Sequence, residues 1–229
     1  MSEIQLLFDR IAPVYDRLND WLSFGQHRIW KQMAVSWSGA GAKDVCLDLC
    51  CGSGDLAVLL SQKCGPEGRV CGVDFSAQML EVADKREKPW LYPSAPIEWI
   101  EADALSLPFC DNFFDAATAG YGLRNVTDIP QCLRELYRVL KPGAKAALLD
   151  FHRPANPMMQ TFQQWYLNGL VVPAAKTFGL TEEYAYITPS LEKFPTGPEQ
   201  VRLAEKAGYS KATHYPLAGG MMGVLVVTK

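Results

Sequence analysis

The sequence predicts an α/β protein built on an open, mostly parallel sheet of seven strands with helices on both faces. Three observations carry that expectation. From Asp44 onward short apolar runs alternate with amphipathic ones, as happens when buried parallel strands are joined by covering helices. A glycine-bearing turn, CCGSGD, follows the first apolar run, where such folds bind ligands. The chain closes on two extended runs, YSKATHYPLA and MMGVLVVTK, parted by Gly219 and Gly220, which read as an antiparallel hairpin at the sheet edge.

In chain order, residues 1–40 are helical in pattern and rich in aromatics: Phe8, Tyr15, Trp21, Phe24, Trp30 and Trp37. DVCLDL, RVCGVD, IEWIEAD, FDAATAG and AKAALLDF then read as strands. LAVLLSQK, SAQMLEVADKR and IPQCLRELYRVL, with apolar residues three and four apart, read as helices between them. Lys141, Pro142 and Gly143 punctuate the last of these as a helix stop and turn. Residues 154–195 interrupt the rhythm between the fifth strand and the helix PEQVRLAEKAG, and are expected to form an apolar helical cap. The length of 229 residues suits one domain carrying that insertion.

Composition narrows the function classes. A hydrophobic fraction of 48% and a charged fraction of 21% belong to an ordinary globular chain, and a net charge of −3 offers no field for a phosphate backbone, so nucleic acid is not an expected partner. The opening MSEIQLLFDR has neither the pattern of a secretory signal nor that of a transit peptide. No apolar run approaches the roughly 18 residues of a membrane span, which makes the chain at most peripheral to a membrane. Seven cysteines without a CxxC arrangement read as reduced thiols rather than a zinc site, and no metal is expected.

The turn carries the ligand expectation. Gly52 and Gly54 allow a tight bend and close backbone approach ahead of a helix N-terminus, and GSGDLA satisfies a loose dinucleotide fingerprint, so a nicotinamide or flavin enzyme competes with a nucleoside binder. Three carboxylates decide between them. Asp48, at the end of the first strand, would repel a pyrophosphate but accept from an ammonium group. Asp74, ending the second strand, suits ribose hydroxyls, and Asp103, ending the third, suits an adenine amino group. Any one of them alone could be a helix cap or turn acceptor. Together they describe S-adenosylmethionine, with Phe75 and Met79 as apolar walls for the purine and with Ala104 and Gly120 completing the cofactor contacts.

With VLKPGA before the fifth strand, this set resembles class I methyltransferases, a Rossmann-like fold; Gly143 there serves the turn. YDRLNDWLSFGQHRIWK (Tyr15 to Lys31), LDLCCGSGD, GLRNVTD and AYITPSLEKFP (Ala185 to Pro195) further resemble the C-methyltransferases of ubiquinone and menaquinone biosynthesis over nearly the whole chain. CCGSGD and LDFHRP are most similar to the cyanobacterial and plastid branch, which methylates demethylphylloquinol in phylloquinone biosynthesis. The resemblance implies methyl transfer to a ring carbon of a reduced, prenylated naphthoquinone, in a bacterial cytoplasm or as a mature plastid protein, peripheral to a membrane. Menaquinone- or ubiquinone-type quinols, and small-molecule O- or N-methylation, are the alternatives. The expected partners are a lipid-tailed quinol and a membrane surface, with a second copy of the chain as a candidate.

An aromatic carbon attacks a sulfonium methyl only when a neighbouring hydroxyl ionises, so the quinol rather than the quinone is the expected substrate. Arg124 and Asn125, just past the fourth strand, and Tyr15 from the N-terminal region are the expected catalytic residues. Arg124 would be a fixed cation beside the naphtholate rather than a base, and Asn125 would orient a water or hydroxyl. An ion pair with Asp128 or a helix cap is the structural alternative for Arg124. His152 is a second candidate base. In HRIWK, His27 and Arg28 read as a solvated helix face, while Lys31 is a candidate contact for the methionine carboxylate. The cap and the aromatic N-terminal region together are expected to form an apolar slot for the isoprenoid tail.

Overall fold

The computed structural model describes residues 23, 25–86, 93–173 and 186–229. Tyr15, and with it most of the aromatic N-terminal run, lies outside the described residues.

The first helix, α1 (Gln26–Trp37), turns His27, Lys31, Ala34 and Val35 inward at three- and four-residue spacing. The alternation read from the sequence then appears as β1 (Val45–Leu49), α2 (Asp55–Cys64), β2 (Arg69–Asp74), α3 (Ala77–Lys85), β3 (Ile97–Glu101) and β4 (Phe114–Gly120). It continues through α4 (Ile129–Val139), β5 (Leu140–Phe151), α5 (Pro157–Tyr166), α6 (Ile187–Lys193), α7 (Gly197–Ala207), β6 (Lys211–Leu217) and β7 (Met222–Thr228). Side chains set the helix starts. Ser76 accepts from the Met79 amide, Asp128 from that of Gln131 ahead of Pro130, and Thr196 with Glu199 forms a reciprocal capping box.

The sheet order is β3-β2-β1-β4-β5-β7-β6, parallel except for β7, which runs antiparallel to both β5 and β6. Successive residues of each central strand face opposite sides, so both faces must be covered. Leu47 and Leu49 pack with Leu133 and Leu136 of α4, while Cys46 packs with Ala34 of α1 and Leu56 and Leu60 of α2. By the same alternation Asp48 points toward the α1 and α2 side. The order in which strands are added to the sheet reverses between the parallel neighbours β1 and β4, and that switch opens a crevice at their carboxyl ends.

Two strand limits differ from the sequence reading. β5 begins at Leu140, directly after α4, and absorbs the Lys-Pro-Gly run through an irregular register against Phe114 and Ala116, with Gly143 at φ +81. β3 stops at Glu101, which puts Asp103 in the following turn rather than on the strand.

Candidate active site

The switch point holds a cavity of about 400 Å³, lined by the ends of β1, β2 and β4, the turn after β3, and Lys31 of α1. Its backbone is wound tightly: Cys50, Gly52 and Tyr121 all adopt left-handed φ values of 52, 53 and 62. A side chain on Gly122 would collide with Cβ of Cys50, so this glycine lets the end of β4 close onto the turn after β1.

Asp74 ties that turn down. Its Oδ2 accepts from the Gly52 amide at 2.8 Å and its Oδ1 from the Ser76 amide at 3.0 Å, which sets the carboxylate on the cavity wall. Gly52, with open space where a side chain would stand, lines the cavity. Gly54 does not line it. At φ +85 its Cβ would lie 2.5 Å from the Trp99 ring, so this glycine serves the packing of α2 against β3. Phe75, Met79 and Ala104 form apolar walls, Gly120 closes the β4 side, and Asp103 sits exposed on the rim, its Oδ1 accepting from the Leu105 amide.

Asp48 is fully buried. Its Oδ1 accepts from the Thr118 hydroxyl at 2.9 Å across the β1–β4 register, and its Oδ2 has no hydrogen-bond partner. Burial pushes this carboxyl up to about 7, outweighing the Thr118 hydroxyl, the Ala57 amide and the Lys31 charge, all of which favour ionisation. An orphaned buried acceptor of this kind asks for a donor from a ligand.

Beside it stands a network the sequence reading missed. The Lys31 ammonium and the Arg86 guanidinium both pair with Asp55 at the start of α2, and Arg86 is anchored on the Ser53 carbonyl and hydroxyl. Burial would raise Asp55, but the two cations more than reverse that and hold it below the ordinary carboxylate value. The nearest signal in the sequence was the acidic residue following GSG, which is also a common helix-start residue.

The LRN turn differs most from expectation. Arg124 pairs with Asp150, not Asp128: Nη1 lies 2.6 Å from Asp150 Oδ1, the Arg124 amide donates to Oδ2, and both side chains are at least nine-tenths buried. The guanidinium stacks over Phe151 and also donates to the Tyr121 carbonyl, and it does not line the cavity. Nε of Arg124 is buried without a partner, and the pair with Asp150 stands in place of the ion pair with Asp128 considered from the sequence. Asn125 does line the cavity. Its amide donates to the Tyr121 carbonyl at 3.2 Å, and its Oδ1 is buried without a partner. His152 is buried away from the cavity, against Gln200 and His214, and burial lowers its pKa.

Four carboxylates and one cationic side chain, among the described residues, line the cavity. A pyrophosphate would be repelled there, whereas an ammonium, a ribose and an adenine amino group each find an acceptor, so the residues present fit S-adenosylmethionine better than a dinucleotide.

Comparison with known proteins agrees. The model of the ubiE/COQ5 methyltransferase family matches residues 2–229. The chain is 64% identical over 228 residues to the 2-phytyl-1,4-naphtoquinone methyltransferase of Nostoc sp. PCC 7120, covering 100% of this chain and 99% of that protein. It is 53% identical to the chloroplastic 2-phytyl-1,4-beta-naphthoquinone methyltransferase of Arabidopsis thaliana, covering 100% and 88%. Among solved structures, an S-adenosylmethionine-dependent methyltransferase from Thermotoga maritima superposes with a TM-score of 0.66 at 20% identity over 97% of this chain and 98% of that one. One from Aquifex aeolicus superposes at 0.62 and 19% identity over 86% and 88%; at such identities these two speak for the fold alone. A crevice at the switch point of this sheet, lined by four carboxylates among the described residues, and a family match over nearly every residue meet in one conclusion: the chain belongs to the ubiE/COQ5 methyltransferase family and is an S-adenosylmethionine-dependent methyltransferase.

Proposed function

We propose that the chain methylates a ring carbon of the reduced form of a phytyl-bearing naphthoquinone. The observation that carries this substrate is the 52–64% identity, over 98–100% of the chain, to cyanobacterial and plant enzymes named for it. Asp48 would hold the ammonium of S-adenosylmethionine, Asp74 its ribose and Asp103 its adenine; when bound, that cofactor supplies an electrophilic sulfonium methyl. The chain's own part is to orient and to exclude water. Asn125 Oδ1 accepts from the ring hydroxyl next to the reacting carbon, and the buried Arg124–Asp150 pair keeps the turn that presents it. Tyr15 remains the third proposed member, on the side of the N-terminal region.

The direct test is incubation with 2-phytyl-1,4-naphthoquinone and S-adenosylmethionine, with and without dithionite, followed by mass analysis. Methylated product is expected only under reduction; equal product from the oxidised quinone would overturn the reading. Substituting Asn125 with alanine should lower kcat by roughly ten- to a hundredfold while the cofactor Kd stays within about twofold. An unchanged kcat would remove Asn125 from the chemistry.

A membrane-facing role of the cap belongs to the same proposal. Among the described residues no helix is long and apolar enough to cross a membrane. Helix α5 nevertheless has an inverted polarity: Gln163 is buried and donates to the His152 carbonyl, while Met158, Phe162 and Trp165 on the opposite side are 75%, 45% and 62% exposed. No charged residue occurs from Pro154 through Ala175. Such a face suits the headgroup boundary of a bilayer, from which a phytyl-tailed quinol must come. Replacing Met158, Phe162 and Trp165 with serine should weaken sedimentation with anionic lipid vesicles and reduce activity on the phytyl substrate, sparing a tailless naphthoquinol. Equal losses on both substrates would sink the idea.

A further inference from the structure

We propose that Lys31 recognises the α-carboxylate of the bound methyl donor, so that the amino-acid end of the donor is held as a zwitterion between Lys31 and Asp48. This rests on the donor reading above and assigns the part of the donor that Asp48, Asp74 and Asp103 leave unmatched.

Lys31 reaches the cavity from α1, outside the sheet, with its side chain only 7% exposed, and it is the only cationic side chain lining the cavity among the described residues. An α-amino acid carries an ammonium and a carboxylate on one carbon, so a site that reads it needs an acceptor and a cation close together. Asp48 provides the acceptor, an oxygen with no partner, and the Lys31 charge is felt at that carboxylate. The surrounding cavity is otherwise acidic, and among the described residues a ligand carboxylate entering it meets no other positive side chain.

The pairing of Lys31 with Asp55 does not use up its charge. Asp55 is also paired with Arg86, whose Nε donates to the Ser53 carbonyl at 2.9 Å and whose Nη2 lies 3.2 Å from the Ser53 hydroxyl. Two cations therefore share one carboxylate in a largely buried place. A second anion there is matched rather than repelled, and Asp55 keeps Arg86 while Lys31 turns toward it. The Lys31 ammonium also lies 5.6 Å from the centre of the Tyr121 ring, which holds it against the cavity wall. The competing reading is a strap that merely fastens α1 to α2 through Asp55.

Titration calorimetry on the full chain separates the two. The probes are S-adenosylhomocysteine and its decarboxylated analogue, which keeps the ammonium and lacks only the carboxylate. The wild type should bind the carboxylate-bearing ligand roughly ten- to a hundredfold more tightly. Lys31→Met should lose most of that preference, weakening S-adenosylhomocysteine by a similar factor and leaving the analogue within about twofold. Equal binding of the two probes by the wild type overturns the proposal without any variant, so it remains testable even if Lys31→Met folds poorly. Equal weakening of both probes in Lys31→Met shows the strap instead. A wild type that binds neither S-adenosylhomocysteine nor S-adenosylmethionine fails the donor reading itself, a result distinct from either of the others.

Discussion

Replacing Asp48 with asparagine should raise the melting temperature of the ligand-free protein at pH 8 and at the same time weaken S-adenosylmethionine binding by roughly ten- to a hundredfold. The first effect follows from the sign of the shift. The folded-state pKa of Asp48, about 7, stands above its ordinary value of 3.8, so a proton on this carboxyl favours the fold. That contribution is complete below the unfolded value and disappears as the pH rises through about 7. At pH 8 the folded chain therefore carries a buried charge with one unsatisfied oxygen, a cost on the order of 4 kcal/mol by linkage. Asparagine is neutral and can still accept from Thr118; if it recovers half of that cost, a chain of this size gains roughly 4–8 °C. The second effect follows because an ammonium pairs with the ionised carboxylate. Donor affinity in the wild type should accordingly climb with pH toward about 7 and flatten above it, with proton release on binding below it. Calorimetric melting at pH 5 and pH 8, with titration of the cofactor, checks both halves. A gain in melting temperature as large at pH 5 as at pH 8 would show that charge burial is not the cause.

Removing Asp150 should cost about 3–5 kcal/mol of stability, because it strands the buried Arg124 guanidinium, only 8% exposed, without its carboxylate. Arg124→Ala should cost a similar amount by stranding Asp150, and the double variant should be less damaged than the sum of the two. Out of a total stability of about 5–15 kcal/mol these are large losses, best measured by urea unfolding at low temperature. Because Asp150 also accepts from the Arg124 amide, its loss frees the turn carrying Asn125, so turnover should fall in Asp150→Ala although Asp150 does not line the cavity. An Arg124→Ala enzyme that keeps full stability and loses only turnover would restore the view of Arg124 as a cation acting on the substrate directly.

These two residues show where sequence reasoning reached its limit. Asp48 and Asp74 could be placed at the cavity because strand periodicity puts the carboxyl ends of parallel strands on one rim, while Asp103 reaches the same rim from the turn after β3. Arg124 was legible as a residue needing a partner. The nearest carboxylate in sequence, Asp128, turns out to cap α4, and the partner comes from β5, twenty-six positions away. Gly54 followed the fingerprint but answers to Trp99 on a strand that enters the chain much later. Lys31 was a candidate ligand contact and Asp55 looked like an ordinary helix-start residue, and only the packing of α1 over α2 joins them in a buried charge network at the cavity.

What the sequence by itself determined was the order of strands and helices, the position of the ligand turn and the chemical class of the ligand, since periodicity and local turn chemistry are properties of neighbours along the chain. The tertiary structure alone decided which acid each cation meets, which glycine faces the cavity and which the core, and that Asp48 keeps one oxygen unsatisfied. Charge pairing and desolvation depend on distances and burial across elements, and neither is written in the spacing of residues along one strand or helix.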